Sequence, residues 1–311
     1  MSYVAIERRL ASGGVVILDG GTGTELERRG ARMDTNAWCG PATIENIDIL
    51  EGIHRDYIAA GADVLTANTY ATSRLILAHA GIGDAFEQIN RTAVAAAKRA
   101  RETSGRDDVA IAGSISHTIP RPNGELYVDR VVTPEFGVMR DSFGELAEFL
   151  SEEGCDIILV EMMYHPERMK AAFDAAAATG KPMWAGLAAR RGSDGRILSF
   201  AKYADIPFEE TVKILADYDL AAAGIMHTPS DVVDEALAIV RTVYDGPLMA
   251  YPDSGYFKMP HWQFEDIIAP DDLARFAGQW RDGGAQIIGG CCGLGPEHIA
   301  AVAGLKRATS G

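Results

Sequence analysis

Two cysteines stand side by side at Cys291 and Cys292, flanked by Gly289, Gly290 and Gly293. Adjacent cysteines rarely bridge each other, because disulfide geometry strains the peptide between them. Glycine instead lets the backbone bend until both sulfurs face one point. Two thiolates on one ion use such a bend, and soft sulfur donors favour zinc among common metals. A buried pair of small residues without a role fits the local sequence equally well. His227, in the run Ala-Gly-Ile-Met-His-Thr-Pro, completes a Cys2His set. Three protein ligands and one open position form the catalytic arrangement of zinc, whereas structural sites are closed by four.

Two carboxylates stand where burial is expected. Glu161 follows Ile-Ile-Leu-Val and Asp19 follows Val-Val-Ile-Leu. A charge after such a run needs a partner: a substrate ammonium group, a metal-bound water or a structural arginine. Asp19 and Glu161 are the candidate catalytic residues, and Gly20, Asn68 and Ser114 join them as candidate substrate contacts. The turn Gly20-Gly21-Thr22-Gly23 lacks the third glycine of a dinucleotide fingerprint and the Gly-Lys-Ser/Thr of a P-loop. Trp38, Trp184, Trp262, Tyr70, Tyr256 and Phe257 fall in or beside the same predicted loops. They can box a sulfonium or quaternary ammonium by cation–π attraction, or simply pack. The other histidines have no metal-ligand spacing, and among them His117 alone sits in a loop that can reach the site.

These residues need a frame that brings strand ends together. Apolar runs of three to six residues recur at 15–18, 64–66, 109–112, 157–160, 183–187, 221–226, 248–251 and 285–288. Their β-branched and small residues read as strands buried on both faces. Amphipathic stretches alternate with them at 45–60, 85–102, 135–153, 166–179, 208–218, 229–244, 270–283 and 296–306. Four open with proline, which suits a first helical turn, and Gly61, Gly154, Gly180 and Gly283 stand where C-caps are expected. Eight β units alternating with eight α units predict a parallel α/β sheet, closed by its count into a (β/α)8 TIM barrel. No linker divides the chain, so residues 1–311 read as a single domain. The longest irregular segments, 28–43, 117–133 and 190–207, each follow a strand, which places them on the catalytic face with the strand ends.

Composition excludes some partners. The formal charge of −15 repels phosphate backbones, so no nucleic acid is expected. No uncharged apolar run reaches the roughly 18 residues of a membrane span, and the N-terminus has no apolar signal core. Four cysteines in 311 residues make no disulfide framework. A cytoplasmic protein, soluble and acting on small molecules, is expected, with a homo-oligomer left open.

The motifs resemble the homocysteine S-methyltransferase family. Ile17-Leu18-Asp19-Gly20-Gly21-Thr22-Gly23-Thr24-Glu25 resembles its opening strand, and Thr66-Ala67-Asn68-Thr69-Tyr70 its second unit. Tyr251-Pro252-Asp253-Ser254-Gly255 resembles its seventh strand end, and Gly289-Gly290-Cys291-Cys292-Gly293 its most specific motif. The resemblance implies a barrel whose zinc is held by three cysteines, with homocysteine's sulfur as the exchangeable ligand. Cys291 and Cys292 match two of the three. The third closes a Gly-Val/Ile-Asn-Cys motif, where this chain reads Gly224-Ile225-Met226-His227. The resemblance also implies that Asp19 and Glu161 handle the amino acid's ammonium group. Imidazole in place of a thiolate makes the centre one charge more positive, which eases formation of a bound thiolate but leaves it less electron-rich.

The expected function is therefore zinc-dependent methyl transfer from a sulfonium, a betaine or a methylated cofactor to a thiol, homocysteine above all. Two rivals fit the same residues. An open zinc position can hold hydroxide with Glu161 as general base, giving a hydrolase or lyase; or the Cys-to-His change marks a non-catalytic paralogue.

Overall fold

The computed structural model of the chain describes residues 2–120, 133–202 and 204–307. Eight strands form its main sheet: β1 (Val16–Ile17), β2 (Val64–Ala67), β3 (Ala110–Ser116), β4 (Ile157–Met163), β5 (Met183–Leu187), β6 (Ala222–Pro229), β7 (Leu248–Asp253) and β8 (Ala285–Ile288). Each pairs in parallel with its neighbours in the order β1-β8-β7-β6-β5-β4-β3-β2. The sheet then closes on itself. Leu18 bridges Val64, and the Asp19 N–H donates to the Val64 carbonyl at 3.1 Å. The (β/α)8 barrel expected from the strand count is the fold observed.

Crossover helices follow the strands: Ile47–Ala60, Phe86–Ser104, Phe136–Glu152, Pro166–Ala177, Phe208–Val212, Val233–Arg241, Pro270–Asp282 and Pro296–Ala303. Three of the four expected prolines open helices. Pro229 instead ends β6, and its helix begins at Val233. Gly61, Gly154 and Gly180 take the left-handed conformation at helix ends, while after Pro270–Asp282 it falls on Gly284 rather than Gly283. Two antiparallel hairpins, Ala189–Arg191 with Ile197–Ser199 and Tyr256–Lys258 with His261–Gln263, fold the loops after β5 and β7. Most of the 117–133 segment lies outside the described residues.

Side chains fill the barrel in period two, as a pleated strand requires. Ala110 and Ala112 of β3, Ile157 and Leu159 of β4, Trp184 of β5, Met249 of β7 and Ile287 of β8 share one buried cluster. The neighbouring Ile111, Ile158, Val160 and Ala250 belong instead to the cluster beneath the helices. Trp184 is fully buried in this interior cluster, not at the mouth as expected. Ile6 and Leu10 of the helix Ser2–Ala11 join the same interior cluster, so this helix plugs one end.

A buried carboxylate fastens that end. Asp63 Oδ2 accepts the Ile17 N–H at 2.9 Å and lies 2.7 Å from Lys306 Nζ, while Oδ1 lies 2.7 Å from Arg9. One side chain thus ties β1 to the start of β2, to the plug helix and to the C-terminal segment. Removing one partner of a buried ion pair leaves the others uncompensated. Asp63→Ala should lower the unfolding free energy by about 3 kcal/mol, measured by urea denaturation; a loss below about 0.5 kcal/mol, as for ordinary surface changes, would refute this role.

Candidate metal centre and its cavity

At the opposite end the interior alternation continues into polar residues. β4 carries Ile157, Leu159 and then Glu161; β3 carries Ala110, Ala112 and then Ser114; β7 carries Met249, Tyr251 and then Asp253. Past β8 the same count runs Ile287, Gly289, Cys291. His227 breaks the rhythm. Met226 already points inward, and the register shifts between Met226 and Pro229. His227 takes φ 44°, a left-handed value that turns its ring to the same cavity. Met162 after Glu161 takes φ 55° and Trp38 takes φ 46°, and both line this cavity as well. Such strain in non-glycine residues persists only where the surroundings enforce it.

All eight residues singled out from the sequence meet here. Asp19, Gly20, Asn68, Ser114, Glu161, His227, Cys291 and Cys292 line one cavity. Cys291 Sγ lies 3.8 Å from Cys292 Sγ and 3.9 Å from His227 Nδ1. A tetrahedral zinc with ordinary bond lengths sets its donors about 3.8 Å apart for two sulfurs and about 3.6 Å for sulfur and nitrogen. The three donors lie within 4.8 Å of one another, so the set fits such an ion with little movement.

The cysteine loop is held from two sides. Gly290 N–H donates to the Asp19 carbonyl and Cys291 N–H to the Pro252 carbonyl, at 3.1 and 2.7 Å. The Cys292 carbonyl accepts from Ser254 N–H at 3.0 Å, and Arg28, paired with Glu25, donates to the Gly293 carbonyl at 3.0 Å. Gly20 is demanded by this packing: a Cβ there would stand 2.4 Å from the Leu294 carbonyl oxygen.

Among the described residues the two carboxylates are buried with no lysine or arginine lining their cavity. Thr66 donates to Asp19 through its N–H at 2.6 Å and its hydroxyl at 2.8 Å, and Ser114 donates to Glu161 at 2.7 Å. Burial outweighs these bonds and pushes both groups up to about 7. The Cys291 thiol is raised well above its ordinary value by its bond to Cys292 and by burial. For His227 burial opposes the charged form, yet Asp253 and Cys291 together push it up to about 9. The cavity is rich in groups that want a cation.

Other expectations are sharpened. The Asn68 amide is occupied, donating to the Cys39 carbonyl and the Thr43 hydroxyl and accepting from the Cys39 thiol, so it braces the 36–43 segment. His117 accepts from Tyr164 and His165 N–H and does not line the cavity. Trp38, Tyr70, Phe257 and Trp262 do line it; Tyr256 is half exposed and bonds Glu265. Thr66 is missing from the sequence-based candidates, although the alternation from Val64 points to it; Asp253 enters there only within the motif that ends the seventh strand.

The model of the homocysteine S-methyltransferase family matches residues 16–305. The chain belongs to this family. Among its relatives, selenocysteine Se-methyltransferase of Brassica oleracea var. italica is 27% identical over 94% of this chain and 88% of that protein. Betaine–homocysteine S-methyltransferase 1 of Danio rerio is 28% identical over 95% of this chain and 74% of that one. The metallated homocysteine methyltransferase MmuM of Escherichia coli superposes with a TM-score of 0.77 over 96% of this chain and 99% of that one, at 24% identity, a likeness of fold.

The raised carboxylates make the family site costly to this protein when no ligand is bound. A carboxyl whose folded pKa is raised to about 7 binds more protons folded than unfolded between about 4 and 7. Stability is therefore lost as pH rises through that window. Glu161→Gln keeps an acceptor for Ser114 and removes the charge. It should raise the melting temperature of the ligand-free protein by about 3 °C at pH 8 and by less at pH 5. An equal change at both pH values would contradict the burial account.

Proposed function

We propose that the protein is a zinc-dependent S-methyltransferase that moves a methyl group from an onium donor to homocysteine. The observation that carries this reading is the juxtaposition of His227, Cys291 and Cys292 beside two buried, cation-seeking carboxylates in one cavity. Family membership supports the reaction class, and the names of the relatives point to an amino-acid thiol or selenol as acceptor.

A zinc ion on the three donors supplies a Lewis acid that favours the deprotonated acceptor sulfur at neutral pH. The chain's own residues do the rest. Cys291 and Cys292, fixed by backbone bonds from both sides, hold the sulfur-binding corner rigid. Asp19 and Glu161 take the substrate ammonium, which supplies the positive charge their burial lacks and draws both back to the ionised form. Ser114 and Thr66 fix the orientation of these carboxylates. Gly20 lets the Leu294 backbone, just past the cysteine pair, pack against the end of the first strand. Together they orient the acceptor for in-line attack on the methyl carbon, a proximity effect.

The donor side is aromatic. Trp38 stands edge-on to Tyr70 at 6.2 Å and to Phe257 at 6.0 Å, and Phe257 lies 6.4 Å from Trp262. Trp262 in turn lies 5.8 Å from the His227 ring, so the arc ends at the metal donors. Ring faces attract a sulfonium or quaternary ammonium, whose charge is lost as the methyl leaves. That change favours release of the demethylated product.

Two outcomes follow. The purified protein should carry one zinc per chain and methylate homocysteine, while Cys292→Ser should lose metal and at least about 100-fold in kcat/KM, the scale of a lost ligand or its support; full activity without metal would end this reading. Trp38→Ala should raise the donor KM about tenfold or less, the scale of one cation–π contact, with the homocysteine KM unchanged. If the two constants rise together, Trp38 shapes the cavity rather than the donor seat.

A further inference from the structure

An imidazole, neutral when it ligates a metal, stands where the family resemblance assigns a third thiolate, so the donor set carries one negative charge fewer. A carboxylate lies beside it. Asp253 ends β7 at the inward position after Met249 and Tyr251, and its Oδ2 is 3.4 Å from His227 Nδ1. Both side chains are nearly buried, at 13% and 9% exposure. Asp253 is not among the residues that line the cavity, nor is it one of the three grouped donors. The other charged group acting on it is Lys202, whose ammonium lies 5.5 Å from the Phe200 ring; Phe200 stands edge-on to His227 at 5.2 Å.

We propose that Asp253 is a positioning residue that supplies, beside His227, the negative charge a third thiolate would bring, so that the His227–Asp253 pair does the electrostatic work of one cysteine. The inference rests on the zinc reading above. Asp253 faces the same Nδ1 that faces Cys291, so it acts on the imidazole as a nearby charge rather than through the ring's second nitrogen. The same charge stabilises a dication through a medium that screens it poorly. The dependence is conditional. With a cysteine at 227 the thiolate brings its own charge, and Asp253 has no deficit to fill.

The test is a double-mutant cycle read as zinc affinity, by competition with a coloured chelator, on wild type, Asp253→Asn, His227→Cys and the double variant. Asp253→Asn should weaken zinc binding about 10–100-fold in the histidine background, the range for lost outer-shell partners. It should change affinity less than about threefold in the cysteine background, where the cycle isolates the pair. Asp253→Glu, which restores the charge, should recover most of the loss, and this comparison stands if His227→Cys fails to fold. Cobalt(II)-loaded Asp253→Asn should keep the wild-type visible spectrum, because the donors themselves are unchanged. Equal losses in both backgrounds, or unchanged affinity of Asp253→Asn, would overturn the inference while leaving the zinc reading intact. Absence of zinc binding by wild type would remove both.

Discussion

The closed barrel gathers negative and proton-releasing groups at one mouth and lines it with no lysine or arginine among the described residues. Asp19 and Glu161 are buried there at a cost, and the sulfurs of Cys291 and Cys292 stand 3.8 Å apart. Interior alternation along each strand forces these side chains into a common space, where burial makes the charged forms of the carboxylates expensive. Incoming positive charge relieves that cost. On the proposed function, a metal ion on the donors, an ammonium group against the carboxylates and an onium donor against the aromatic arc would be three forms of the same relief.

The frame that enforces this is divided by function along the barrel axis. At the plugged end Asp63 is surrounded by Arg9, Arg106 and Lys306, and its charge is fully matched. At the mouth the charges are unmatched and the backbone is strained at Trp38, Met162 and His227. Stability is gathered at one end and spent on chemistry at the other, the division expected of this fold.

Much of this was legible in the sequence because it depends on local patterning. Short β-branched runs marked the eight strands, and polar residues after them marked the mouth. The glycines around Cys291 and Cys292 marked a backbone that bends. What was not legible depends on distant partners. Trp184 counts among the mouth aromatics by residue type alone, but it is the second residue of β5, at the strand's start rather than its end, and is buried in the barrel interior. Pro229 has the form of a helix start, yet a register shift at His227 prolongs the strand to include it. The plug helix, the occupied Asn68 amide and the pairing of His227 with Asp253 are all set by contacts dozens to hundreds of residues apart, and no spacing rule reports them.

On the proposed function the mouth holds a zinc ion on one nitrogen and two sulfurs, with a place left for the acceptor's sulfur. X-ray absorption at the zinc edge tests this directly, on the purified protein with and without homocysteine. Two zinc–sulfur contacts near 2.3 Å are expected in the free protein and three with homocysteine bound. A shell that lacks sulfur, or one that stays at two sulfurs under saturating homocysteine, would contradict it.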